Sequence, residues 1–115
     1  MKNNKGQALV DYVNDTMVVN EHVFILRTNN LINSKFLFYY LYSEQGQLMM
    51  EPLKTRGGQG GINGTKIKTL SVPNIEKALQ EKIIFECDKI MNSIADKKKR
   101  KEISKIIMKY LIIAE

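Results

Sequence analysis

The chain has 115 residues, a mass of 13.2 kDa and a formal net charge of +6. That length allows one domain at most. A single cysteine, Cys87, rules out an internal disulfide, and the longest apolar run, 36–42, is far too short to span a bilayer. The stretch MKNNKGQ lacks the apolar core of a signal peptide, so a soluble, cytoplasmic protein in a reducing compartment is expected.

Residues 8–13 (ALVDYV) and 17–27 (MVVNEHVFILR) are rich in Val, Ile and aromatics, with an Asn14-Asp15 turn signal between them. They are expected to form two strands, with 23–26 covered on both sides. A polar loop, 28–33, follows. Asn33 or Ser34 is then placed to cap a helix over 35–50 that Pro52 stops. The first half of that helix, FLFYYLY, is apolar nearly all round and should be buried.

The next segment, 53–73 (LKTRGGQGGINGTKIKTLSVP), holds Lys54, Arg56, Lys66 and Lys68 and no carboxylate. It reads as a glycine-rich loop ending in a short strand at 67–72. Charge is unevenly shared: residues 1–53 hold 4 basic and 5 acidic groups (−1), 54–73 hold 4 and 0 (+4), and 74–115 hold 10 and 7 (+3). Positive charge placed this way suits nucleic acid or an acidic partner. The loop is not a nucleotide P-loop, because Gly64-Thr65-Lys66 inverts the required Gly-Lys-Ser/Thr order and a strand is expected where a helix should begin. Its glycines, Gly58 and Gly60 among them, let backbone approach a groove wall closely. Lys54, Arg56, Lys66 and Lys68 can neutralise phosphates, while Gln59 and Asn63 carry amides that pair with adenine edges and Arg56 the fork that pairs with guanine.

From Asn74 to Glu115 there is neither Pro nor Gly. Apolar residues fall at Ile75, Leu79, Ile83, Cys87, Ile90 and Ile94 and resume at Ile103, Ile106, Ile107 and Tyr110. The spacing of three or four predicts a coiled-coil seam. Read as one continuous helix, these 42 residues would run about 60 Å and project from a remainder of 115 − 42 = 73 residues. The polar stretch 96–102 (DKKKRKE) also permits a kink or a helical hairpin. The expected architecture is therefore α+β, with a partial recognition domain over 1–73 and a long spacer or dimerisation helix over 74–115. A projecting stripe needs a partner, and homodimerisation through it is expected.

Nothing points to catalysis. His22 lies mid-strand, and its neighbour Glu21 faces the other side of the sheet. Cys87 falls on the seam, the carboxylates are scattered, and no metal-ligand spacing occurs, so neither a cofactor nor a metal is expected. The run 97–101 (KKKRK) reads as a solvated helix face, with a binding stripe as the other reading.

Four segments in order carry a resemblance: NEHVFILRTN, NSKFLFYYLYSEQGQ, GGQGGINGTKIKTLSVP and LQEKIIFECDKIMNSI. Together they resemble the C-terminal half of a target recognition domain, and the conserved helix after it, in the DNA specificity (S) subunits of type I restriction-modification systems. The resemblance implies a non-catalytic subunit that recognises double-stranded DNA. It implies helices that pair antiparallel as a ruler and dock methyltransferase (M) subunits, where S-adenosylmethionine binding and adenine methylation reside. It places 54–68 in the DNA-facing region and 75–110 in the conserved helix. The chain begins near the middle of such a domain, so a second chain or a second copy is expected to supply the missing half. The other reading is an interaction fragment that reads no DNA and assembles with S or M subunits through its helix.

Overall fold

In a computed structural model, residues 10, 26, 28–54, 65–93 and 95–114 are described. Asn33 opens the first helix: its backbone is extended and its side chain accepts a hydrogen bond from the Lys35 amide at 2.8 Å. The apolar block then forms α1, Ser34–Tyr42, with Phe36, Tyr39, Tyr40 and Leu41 buried. Rings four apart stack along it, Phe36 on Tyr40 and Phe38 on Tyr42.

The helix expected over 35–50 is two helices. Ser43 ends α1 and caps α2, Glu44–Met50. Its hydroxyl donates to the Tyr40 carbonyl at 2.6 Å and accepts from the Gly46 amide at 3.2 Å, so one buried side chain serves both helix ends. The chain turns so tightly that a Cβ on Gly46 would lie 1.9 Å from the Tyr40 carbonyl oxygen. Gln47 completes the elbow by donating to the Leu41 carbonyl. A 3-10 turn, Glu51–Leu53, with Pro52 in it, leads away from α2.

The sequence places a strand at 67–72, but the chain forms a 3-10 turn there, Lys66–Thr69, closed by the Thr69 hydroxyl on the Lys66 carbonyl. This local bond competes with strand pairing. The two earlier strands, 8–13 and 17–27, lie almost wholly outside the described residues. Within them, Leu26 is in no strand and is 41% exposed. The expected α+β fold is thus corrected: the described residues form four α-helices and two 3-10 turns, and no strand occurs among them.

The second correction concerns the C-terminal helix. Instead of one projecting rod there are α3, Lys77–Ser93, and α4, Asp96–Ala114, folded back on each other. Glu86 meets Lys109 and Tyr110, contacts 23 and 24 residues apart that only an antiparallel hairpin provides. The largest principal extent of the molecule is 36 Å, against about 60 Å for the unbroken helix. Local chemistry explains the break. The Ser93 hydroxyl bonds back to the Lys89 carbonyl, and Asp96 sits in the first turn of α4 and pairs with Lys99. Burial supplies the driving force. Ile83, Cys87, Ile103 and Ile107 are fully buried, each large side chain contributing about 1.5–3 kcal/mol. A broken backbone hydrogen bond costs about 1 kcal/mol.

The seam residues therefore line this chain's own core, where α1 packs against both helices of the hairpin. Ile75, Ile83, Cys87, Ile103, Ile107 and Tyr110 are buried, and Leu79, Ile90 and Ile106 pack half-buried against them. Ile94 lies outside the described residues. Gln80, only 1% exposed, fastens the loops that precede α1 and α3. It accepts from the Asn33 amide and donates to the carbonyls of Leu31 and Ile75.

Candidate nucleic-acid interface

Of the eight loop residues that the sequence singles out, Arg56, Gly58, Gln59, Gly60 and Asn63 lie outside the described residues. The flanks are described. Lys54 ends the 3-10 turn after α2, and its ammonium pairs with Glu51 at 2.7 Å while the side chain is only 12% exposed. Its charge is offset by a carboxylate just upstream of the acid-free stretch. On the other flank, Lys66 and Lys68 are exposed within the turn Lys66–Thr69.

The structure adds a second basic region. Residues 97–101 form the first turns of α4 and divide by direction. Lys99 pairs with Asp96, and the Arg100 guanidinium donates to the Tyr42 carbonyl at 2.7 Å and lies 4.5 Å from the Tyr42 ring centre. Lys97, Lys98 and Lys101 are exposed and make no ion pair among the described residues. Lys105 continues the same face, 3.3 Å from Glu102.

α4 is anchored to the start of α2 at this point. The Glu44 amide donates to the Ser104 hydroxyl and the Gln45 side chain to the Ser104 carbonyl. Farther along the hairpin, the Tyr110 hydroxyl and the Lys109 ammonium both donate to Glu86. The Tyr110 bond, with help from Lys109, holds the Glu86 carboxyl below its ordinary range against the opposing effect of burial. On α1, Tyr39 and Lys35 share Asp88 of α3. Burial, reinforced by Asp88, pushes the Tyr39 hydroxyl well above its usual range. An open groove between α3 and α4 is lined by Phe85, Ile90 and Ile106 and rimmed by Lys89, Lys105 and Lys109 together with the carboxylates of Glu86 and Glu102. Phe85 is 62% exposed there, and Met108, Ile112 and Ile113 are exposed on α4.

Cys87 is wholly buried, and burial, with Asp88 and Glu86 adding to it, pushes its thiol up to about 12. It is neutral near pH 7 and packs as a small apolar group. The described residues hold no cluster of three or more His, Cys, Asp or Glu able to take a metal. None of the helices they form is long and apolar enough to cross a membrane.

Sequence reasoning passed over Gln80, Ser104 and Gly46. The first two were visible as polar residues set among apolar ones, Gln80 three before Ile83 and Ser104 three before Ile107. A polar group at such a position implies an internal hydrogen-bond partner. Gly46 carried no signal, because its role depends on an elbow that the sequence does not announce. No protein-family model, no curated protein and no solved structure matches this chain.

Proposed function

We propose that this chain is a DNA-binding specificity subunit, or half-subunit, of a type I restriction-modification system. It recognises duplex DNA and scaffolds methyltransferase subunits, and it has no catalytic role of its own. The observation that carries the reading is the order of four segments: the apolar 23–26 stretch, the FLFYYLY block, the acid-free glycine-rich 54–73 stretch and the amphipathic helix beyond Pro73. The exposed Lys66 and Lys68 support phosphate contact, with Arg56, Gln59 and Asn63 offered to base edges. Because the seam is internal, the contact with an M subunit or a second copy falls on the outer side of the hairpin, around Phe85 and Met108.

Fluorescence anisotropy with a random-sequence duplex, across about 50 to 200 mM salt, tests the reading through counterion release. Binding that weakens steeply with salt, and weakens further in Arg56→Ala and Lys66→Ala, is expected. Light scattering of the same variants should show an unchanged assembly state. The exposed apolar residues of the hairpin favour a second reading, an interaction fragment that reads no DNA. Loop variants that leave methylation by an S–M complex as altered as the unmodified chain does would decide for it.

A further inference from the structure

We infer that the outer face of α4, carrying Lys97, Lys98 and Lys101, is a second phosphate-binding surface that grips the backbone of a duplex. This rests on the DNA-binding reading and extends it to residues that the resemblance does not place at DNA. Of the five successive cations, two are consumed within the fold, Lys99 by Asp96 and Arg100 by Tyr42. The other three are exposed and make no ion pair among the described residues. Lys97 and Lys98 occupy the first turn of α4, where the helix dipole disfavours cations. Both lie beside Lys101, four and three residues on, where like charges repel. An external anion resolves both conflicts.

The arrangement also indicates the class of anion. Lys97 and Lys101 stand four residues apart along one face, about 6 Å on along the helix, and Lys105, which pairs with Glu102, continues the line. Side chains strung out in this way do not converge on a single small anion, whereas they match an extended row of phosphates. The row is tied to the proposed loop contact. Lys97 and Lys101 neighbour Arg100 and Ser104, the residues that hold Tyr42 and the start of α2. From there α2 and its 3-10 turn lead to Lys54, where the acid-free stretch begins. The ten residue steps from Glu44 to Lys54 reach about 15 Å at helical rise, a span over which a duplex presents about nine phosphates.

The test compares three forms of the full chain in the same salt titration. These are the unmodified protein, the loop pair Arg56→Ala/Lys66→Ala, and the ridge triple Lys97→Gln/Lys98→Gln/Lys101→Gln. The triple variant should bind at least about tenfold more weakly at low salt, and its salt slope should be shallower by about 2–3, near 0.9 per lost phosphate contact. Lys98→Glu gives an independent check, since an acid in the first turn favours the helix while repelling DNA. It should keep the circular dichroism spectrum and lose affinity. A triple variant with the unmodified slope overturns the ridge while the loop reading survives. An unmodified chain that ignores DNA at low salt overturns the DNA reading and the ridge with it. If the triple variant loses binding to phosphatidylserine vesicles but keeps its DNA slope, the ridge faces lipid headgroups and the inference is wrong.

Discussion

Two helical junctions of this chain are built on opposite principles. Between α1 and α2 the chain turns on a few atoms: the Ser43 hydroxyl shared by two helix ends, the Gln47 amide on the Leu41 carbonyl, and a glycine with no room for a methyl group. Between α3 and α4 the joint is spread along two helices, through Ile83, Cys87, Ile103 and Ile107 with a polar rim of Glu86, Lys109 and Tyr110. A junction of the first kind fails at one residue. One of the second kind yields gradually.

Gly46→Ala gives the sharpest contrast. Its methyl group meets backbone that cannot swing aside, so a loss of about 3 kcal/mol or more is expected. Thermal unfolding should show a fall of about 10 °C in Tm. An unaltered Tm would mean that α1 and α2 do not meet this closely. Ile103→Ala, on the distributed side, should cost about 2–4 kcal/mol, read from the denaturant midpoint. A loss below about 1 kcal/mol would place Ile103 outside the core. Gln80→Leu should follow at about 2 kcal/mol, because the Asn33 amide and the Ile75 carbonyl lose their shared partner. Hydrogen exchange should speed at Asn33 in that variant.

The polar rim gives a smaller, pH-dependent effect. The Tyr110 and Lys109 bonds hold Glu86 below the ordinary value of 4.5 in the folded state. Its contribution is therefore complete above pH 4.5 and is lost as pH falls through the lower folded value. Tm measured from pH 6 down to about 3 should fall less steeply in Glu86→Gln than in the unmodified chain. Parallel curves would remove Glu86 from the set of groups that register the hairpin. The smallest effect is a gain: Lys98→Gln relieves repulsion at the start of α4 and should raise Tm by about 1–3 °C. No gain would show that the first turn of α4 does not feel this charge.

The distributed joint was the more legible of the two in the sequence. The three- and four-residue spacing of Ile83, Cys87, Ile103 and Ile107, read as a seam for a second chain, marks residues that are buried within this one, and FLFYYLY announced a buried helix with Asn33 or Ser34 as its cap, of which Asn33 is the one used. What spacing cannot say is whether a stripe is covered by another chain or by its own continuation. The absence of Gly and Pro after Pro73 favoured a rod, yet one helix stops at Ser93, bonded back to the Lys89 carbonyl, and the next starts at Asp96, paired with Lys99. The elbow at Ser43 was hidden because a single serine within a helical pattern is ordinary. At 67–72, local bonding of Thr69 outweighed the β-branched composition. For the candidate interface, residue chemistry named Arg56, Gln59 and Asn63, which lie outside the described residues. The fold separated the exposed lysines of α4 from Lys99 and Arg100, where the sequence left the run 97–101 as a solvated face or a binding stripe.

The burial of Cys87 has a practical consequence. It is the only thiol in the chain, it is 0% exposed, and it sits in the core between α1 and the hairpin. A maleimide or disulfide reagent can reach it only when α3 separates from its neighbours, so the labelling rate divided by that of an unfolded peptide thiol measures how often the hairpin opens. Followed with and without a ligand, that single reaction becomes a built-in gauge of whatever the chain binds. A ligand that clamps α4 should slow it in proportion to its affinity for the closed form.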